Sequence, residues 1–373
     1  MSASKKIIVS VTNDIYTDQR VRRVCEFLVE QDYEVTLCGR LLKNSKPLPE
    51  TSYKTVRFKL PFNKGAKFYA IFNLRLFIYL IFHKADALLS NDLDTLLANS
   101  LASKFKSNCK LYYDSHEYFT GVPELIARPK VQRFWKKIEK TYLPKTYKMY
   151  TVNESIANLY RKEYQREVFV VRNISDFNGV KNTYTKKELG LPEDRYVIII
   201  QGAGINIDRG AEEAVEAIKL LPDCVLIFVG DGDVIPQLKN KVKNENIEDK
   251  VLFFGKRPYN ELMSLTSLSD IGLSLDKDTN INYKYSLPNK IFDYIHANTP
   301  LIVSDLIEVK RIVENHQIGV VISNHQPQTI AKAIRQMLDD KNQYRKFKLN
   351  TKKASKALTW RNECRVLKDI YNN

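Results

Sequence analysis

The chain of 373 residues has only five cysteines, an odd number, and no pair in a CxxC spacing. Cys25, Cys38, Cys109, Cys224 and Cys364 are scattered, mostly in apolar strand-like or helix-like stretches. That distribution predicts reduced, buried thiols and argues against a disulfide framework or a zinc site. No His/Cys/Asp cluster suggests another metal, so none is expected. Acidic residues are also short, 43 against 59 Lys and Arg, for a net charge of +16. Such an excess suits nucleic acid, an anionic bilayer face or an acidic substrate. No arginine-rich arm, zinc-finger spacing or aromatic RNA-binding signature accompanies it, so no nucleic acid is expected as a partner. The GxGxxG dinucleotide fingerprint is absent, which removes NAD from consideration. No leader with an apolar core and cleavage site precedes the first strand-like run in MSASKKIIVSV, so a cytoplasmic protein is expected. The longest apolar stretch, Phe68–Phe82, is interrupted by Asn73 and Arg75 and is too short to span a bilayer. It reads as a buried core helix, or alternatively as a helix with one face dipping into a membrane interface.

What is present is regular alternation. Strand-like runs at Lys6–Val11, Glu34–Cys38, Ala85–Ser90, Leu111–Tyr113 and Met149–Val152 alternate with helix-like segments, and Val168–Val171 closes the series. A second series runs through Tyr196–Gln201, Val225–Val229, Val251–Phe254, Ile271–Leu275 and Leu301–Val303. This is the pattern of parallel sheets covered by helices, and the length suits two domains. The polar, aperiodic stretch Asn173–Lys187 is the best linker. It divides the chain into 1–175, 176–355 and a terminal segment 356–373, with Ala354–Tyr371 read as the last helix.

The densest information lies in Asp270–Asp305, which reads as strand, polar loop, helix and strand. Ser286 is placed to cap the helix, Pro288 to fill its first turn and Lys290 to project from its N-terminus. Free N–H groups and a positive dipole end favour an anion there, and the lysine adds what a diphosphate site needs. Gln201-Gly202-Ala203-Gly204 follows a second apolar strand and leads to Arg209 at the start of another helix. Glycines at that point let backbone N–H groups approach a phosphate. Gly230, in Val229-Gly-Asp-Gly-Asp, follows a third. In the first half, His116 ends the strand Lys110–Tyr113, and Asn13, Asp14, Gln19 and Arg20 lie in or just after the loop behind the first strand. Asp92-Leu-Asp94, Asp231-Gly-Asp233 and Asp276-Lys-Asp278 each imitate a DxD metal motif, and three matches in one chain show how unspecific that motif is. Glu308, near the carboxyl end of the strand Leu301–Val303, reads as part of a solvated helix face or alternatively as a contact to a bound ligand. Between residues 128 and 148, eight Lys or Arg face one glutamate, with Trp135 and several tyrosines interleaved. That mixture reads as a solvated face or as a contact with an anionic membrane surface.

The segment around Leu287-Pro288-Asn289-Lys290 resembles the family 4 glycosyltransferases, in particular a bacterial subgroup with this tetrapeptide. The resemblance implies a GT-B fold: α/β, with two Rossmann-like domains facing each other across a cleft and a C-terminal helix crossing back to the first. It implies a retaining, metal-independent glycosyltransferase of hexosyltransferase type, with no cofactor beyond a UDP- or GDP-linked sugar as co-substrate. The acceptor would be a glycan or lipid-linked molecule in cell-surface polysaccharide synthesis, at the inner membrane face. Residue by residue, it implies that Gly202, Gly204, Arg209, Gly230, Ser286, Pro288, Asn289 and Lys290 bind the donor and that Asp293 holds its ribose. Tyr285 stands where the family's first glutamate would be, and Ala203 where an arginine would be. His116, Arg209 and Lys290 would act at the reacting centre, and Asn13, Asp14, Gln19 and Arg20 on the acceptor side. A nucleotide-sugar 2-epimerase of the same fold and a non-catalytic binding protein with a degenerate site remain open alternatives.

Overall fold

The computed structural model describes residues 4–175 and 184–372. The chain divides into two compact units, Met1–Asn173 with Cys364–Asn373, and Ile174–Glu363. Most of the expected linker, residues 176–183, lies outside the described residues.

In the first unit, β1 (Lys5–Ser10), β2 (Tyr33–Leu41), β3 (Lys54–Lys59), β4 (Ala87–Asn91), β5 (Lys110–Ser115), β6 (Lys148–Thr151) and β7 (Phe169–Val170) form one parallel sheet. Its order is β3-β2-β1-β4-β5-β6-β7. In the second, β8 (Tyr196–Gly202), β9 (Cys224–Gly230), β10 (Val251–Gly255), β11 (Ile271–Ser274), β12 (Leu301–Ser304) and β13 (Gly319–Ile322) are ordered β10-β9-β8-β11-β12-β13. The apolar runs explain the central strands. Val197, Ile198, Ile199 and Ile200 are all buried, because helices cover both faces of a parallel sheet. The strand order reverses between β1 and β4 in one unit and between β8 and β11 in the other. At such reversals the carboxyl ends of neighbouring strands splay their loops apart, leaving a crevice for ligand.

Four differences from the sequence reading have local causes. β3 (KTVRFK) is an edge strand with half-exposed residues, so it shows no apolar run; β13 has only four residues. The last helix is two helices, Lys341–Ala357 and Trp360–Tyr371, separated at Leu358–Thr359, where the Thr359 hydroxyl accepts from the Asn362 amide. The second helix ends in Tyr371, which packs against Tyr112 at 4.4 Å between ring centroids, with Tyr33 and Tyr150 nearby. Finally, the apolar helix starts at Gly65 and runs to Phe82, 18 residues. A stripe of Phe68, Phe72, Leu76 and Leu80 is buried, while Leu74 and Phe82 are 58% and 81% exposed. The helix is therefore not enclosed as a core helix would be. Its length and mean hydropathy of 1.4 are those of a segment able to cross a membrane.

Candidate functional site

The second unit gathers its charges at the β8/β11 reversal. The loop after β8 carries Arg209, the loop after β11 carries Asp276, and the helix Asn289–His296 carries Lys290 in its first turn. Arg209 Nη1 and Lys290 Nζ lie 3.3 Å and 3.7 Å from the same oxygen, Oδ1 of the buried Asp276. Burial lowers the Lys290 pKa, and the carboxylate only partly offsets this. The Arg209 guanidinium also lies 4.6 Å from the Tyr283 ring centroid, a cation–π contact. Four polar atoms along these segments have no hydrogen-bond partner: Arg209 Nε, Ser274 Oγ, Asp276 Oδ2 and Ser286 Oγ. Buried polar groups are normally paired, so this concentration marks a place suited to a polar ligand.

Pro288, not Ser286, is the N-cap residue of the helix Asn289–His296. This corrects the expected capping role: the Ser286 amide closes a turn onto the Tyr283 carbonyl instead. Asn289 is exposed beside Lys290. Asp293 sits one turn further on, with Oδ1 accepting from the Tyr259 hydroxyl at 2.9 Å and Oδ2 from Gln201 Nε2 at 3.2 Å. Gly202 and Gly230 end adjacent strands; Gly230 has φ +136° and a Cβ there would lie 1.8 Å from the Gly202 carbonyl oxygen. Gly204 follows in the same loop, and a cavity of about 250 Å³ opens beside Gly230, Phe253 and Lys256. Glu308 is buried and bonds Arg311, which corrects its expected place on a solvated face.

In the first unit the corresponding reversal lies between β1 and β4, and β5 adds His116 directly beyond it. The His116 amide donates to Asp92 Oδ1 at 2.9 Å, its Nδ1 lies 3.3 Å from Asp92 Oδ2, and its Nε2 lies 3.5 Å from Asp114 Oδ2. Burial opposes a charge on the ring, but the two carboxylates outweigh it and raise the pKa to about 9. His116 is thus a cation whose ring nitrogens face Asp92 and Asp114, not a base, at neutral pH. Asp92 has φ +57° and ψ 169°, a backbone region that costs a non-glycine residue energy and tends to persist at functional sites.

The acceptor-side residues do not converge. Asn13 is exposed and lines a cavity with Asp92, Asp94 and Glu117. Gln19 lines a different one, near Tyr16 and Arg22. Asp14 is buried and turned inward, accepting from the Tyr16 amide and the Ser45 hydroxyl. Arg20 is the clearest correction: it is 3% exposed, bonds both oxygens of Asp114 at 2.9 and 2.8 Å, and donates to the Val171 carbonyl. It is a structural tie with no face left for an acceptor. Sequence reasoning gave Asp276 and Asp94 no site role, reached Asp92 only through the resemblance of Asn91-Asp92 to another loop of the family, and did not single out Glu117. For Asp276 and Asp94 the one signal was the unspecific DxD spacing.

Residues 182–354 match the family pattern described as glycosyl transferases group 1. Among curated proteins, the chain is similar to an alpha-D-kanosaminyltransferase of Streptomyces kanamyceticus, 23% identical over 152 residues, covering 40% of this chain and 38% of that one. The chain thus spans about two fifths of the length of that relative. Among solved structures, it is similar to sucrose-phosphate synthase from Thermosynechococcus elongatus, with a TM-score of 0.80, 16% identity, and coverage of 99% of this chain and 98% of that chain. It is also similar to Anabaena HepE solved with UDP and glucose, with a TM-score of 0.75, 14% identity, and coverage of 99% and 100% respectively. The α/β fold is that of the GT-B class to which these neighbours belong.

Proposed function

Because residues 182–354 place this chain in the glycosyl transferases group 1, we propose that it moves a sugar from a UDP- or GDP-linked donor, with retention of configuration, onto a glycan or lipid-linked acceptor. The observation that carries this reading is the convergence of Arg209 and Lys290 on one buried carboxylate oxygen, beside unpartnered polar atoms. Two cations held in place before substrate arrives can stabilise the charge that develops on a departing diphosphate, without reorganising as it forms. The HepE neighbour was solved with UDP, which supports a nucleotide donor here. Arg209 and Lys290 bind that diphosphate in this reading, with the amides around Gly202 and Gly204 and the exposed N-terminus at Asn289. Asp293 orients the ribose through the edge of its carboxylate, with Tyr259 holding it. His116, charged and clamped by Asp92 and Asp114, serves as an electrostatic and positioning group. Neutralisation by Arg209 and Lys290 takes the place of a metal. The reading extends to cell-surface polysaccharide synthesis by a cytoplasmic enzyme peripheral to the inner membrane face; the exposed apolar face of Gly65–Phe82 and the basic helix Pro129–Tyr142 support this placement.

Incubation with donor alone and with donor plus acceptor glycans tests the reaction. Formation of a glycoside only when acceptor is present, with α-anomeric linkage from an α-linked donor, is expected. Isomerised nucleotide sugar from donor alone would point to an epimerase. Intact donor in both mixtures would point to a binding protein.

A further inference from the structure

The helix Lys341–Ala357 carries seven Lys or Arg and no Asp or Glu among its 17 residues. Phe347, Thr351 and Ala354 form its buried stripe. Lys341, Arg345, Lys346, Lys352, Lys353 and Lys356 are exposed on the rest of its circumference, around Leu349, itself 62% exposed. None of the helix's cations meets a carboxylate among the described residues: Lys341 Nζ donates to the Tyr196 hydroxyl at 2.8 Å, and Lys348 lies over the Tyr344 ring. Lys341 and Arg345, Lys348 and Lys352, and Lys352 and Lys356 are like-charge pairs one turn apart, which weaken a helix. An anion lying along this face replaces that repulsion with attraction.

The helix is anchored at the amino ends of the strands. Lys341 meets Tyr196 at the start of β8, the Tyr344 hydroxyl donates to the Asp270 carbonyl just before β11, and Asn350 Nδ2 donates to the Gln317 carbonyl just before β13. Arg209 and Lys290 lie beyond the carboxyl ends of the same sheet, so the basic face is separate from the donor site.

What the face lacks narrows the partner. A protein interface has a charge-poor, often aromatic centre, whereas here cations surround a single leucine. A helix lying in a bilayer turns its apolar stripe to the lipid, whereas this stripe faces the core of the unit. Single-stranded nucleic acid needs exposed rings on which to stack its bases, and Tyr344 is half-buried with its hydroxyl tied to Asp270. What matches is a linear polyanion without bases. Along about 25 Å of helix a cation recurs every three or four residues, about 4.5–6 Å apart along the axis. That interval is close to the length of one sugar residue in an extended glycan.

We infer that the helix Lys341–Ala357 binds an acidic polysaccharide, a glycan bearing carboxylates or phosphates at regular intervals, away from the donor site. The inference goes beyond the transferase reading, because the chain is held here and not reacted.

Fluorescence anisotropy of the full chain with labelled oligogalacturonate, and with labelled dextran as the neutral control, tests it. Binding is expected for oligogalacturonate alone, weakening about tenfold or more between about 0.05 and 0.5 M salt, as when several cations neutralise a polyanion. Lys352→Gln/Lys353→Gln/Lys356→Gln is expected to weaken it about tenfold and Arg345→Gln/Lys346→Gln about fivefold, at unchanged melting temperature because all five side chains are exposed. Lys137→Gln/Lys140→Gln, on the basic helix of the first unit, is expected to stay within about twofold. UDP affinity is expected to be the same in the triple variant as in the unaltered chain; loss of UDP binding in the unaltered chain would fail the donor reading and leave this inference standing. Absent binding of oligogalacturonate, or equal weakening by the Lys137/Lys140 variant and the triple variant, overturns the inference. So does tighter binding of duplex DNA or phosphatidylserine vesicles than of oligogalacturonate through the same residues.

Discussion

Asp92 holds His116 twice: one carboxylate oxygen takes its backbone amide at 2.9 Å, and the other lies 3.3 Å from its ring Nδ1. A single side chain thus fixes both the loop and the charge it presents. The folded imidazole has its pKa raised from 6.5 to about 9. Its stabilising charge is fully present below about pH 6.5, where both folded and unfolded rings are protonated, and disappears as pH rises through about 9. His116→Gln is expected to lose on the order of 1–3 kcal/mol at pH 6 and progressively less towards pH 9.5. Urea unfolding at three pH values checks it; a pH-independent difference would mean that the ring is neutral in the folded state.

The second unit's cations make the donor prediction. Arg209→Ala and Lys290→Ala are each expected to weaken UDP or GDP binding by about 1.5–3 kcal/mol, the scale of charge-assisted hydrogen bonds. Titration calorimetry reads this directly. Unchanged affinity in both variants removes the site. Turnover is expected to survive excess EDTA; loss on chelation and recovery with Mn²⁺ or Mg²⁺ would mean that a metal carries the diphosphate charge.

Arg20 and Gln19 separate structure from ligand contact. Removing Arg20 leaves the buried Asp114 without its bidentate partner, and Arg20→Ala is expected to cost about 3–5 kcal/mol of stability. The exposed Gln19→Ala is expected to stay within about 0.5 kcal/mol. Denaturant melts of the two variants make the comparison, and a mild Arg20→Ala would return Arg20 to the acceptor side.

Gly230 and Gly255 both have positive φ, +136° and +65°, yet only Gly230 would press a Cβ into backbone, at 1.8 Å from the Gly202 oxygen. Gly255 has open space around it. Gly255→Ala is expected to cost about 1–2 kcal/mol, the left-handed penalty alone. Gly230→Ala adds a clash and is expected to cost more than twice as much, or to prevent soluble expression. Equal melting temperatures would overturn the close approach of β8 and β9 at this point.

These contrasts mark where the sequence was legible. Buried parallel strands announce themselves as unbroken apolar runs, so Val197–Ile200 and Leu301–Val303 could be read directly. Edge strands are half solvated, and Lys54–Lys59 alternates too weakly to be seen. Lys290 can be placed in a helix's first turn because proline and a short polar loop precede it, though the cap is Pro288, two positions beyond the serine that the sequence offers. The pairing of Arg20 with Asp114, 94 residues apart, leaves no local trace. Nor does the meeting of Thr12 with Asp94, which depends on β1 and β4 being neighbours.

Membrane attachment gives the last prediction. Along the helix Pro129–Tyr142, Trp135 and Ile138 are buried, while Arg133, Lys137 and Lys140 are exposed on the same helix as Phe134, itself 57% exposed. The helix Gly65–Phe82 exposes Leu74, Ile78 and Phe82 in the same unit. Each basic residue near an anionic surface contributes about 1 kcal/mol, screened within roughly a Debye length of 8–10 Å. Inserted apolar side chains add attraction that salt does not screen. Flotation is therefore expected with phosphatidylserine-containing vesicles but not with neutral ones, and weaker at 1 M salt than at 0.1 M. A Lys137→Glu/Lys140→Glu variant is expected to lose most binding at low salt. Phe82→Ser, by contrast, is expected to make whatever binding remains more salt-sensitive, because it removes only the unscreened part. If the unaltered chain floats with no vesicle at either salt concentration, the basic and apolar faces are ordinary surface and the acceptor is a soluble glycan.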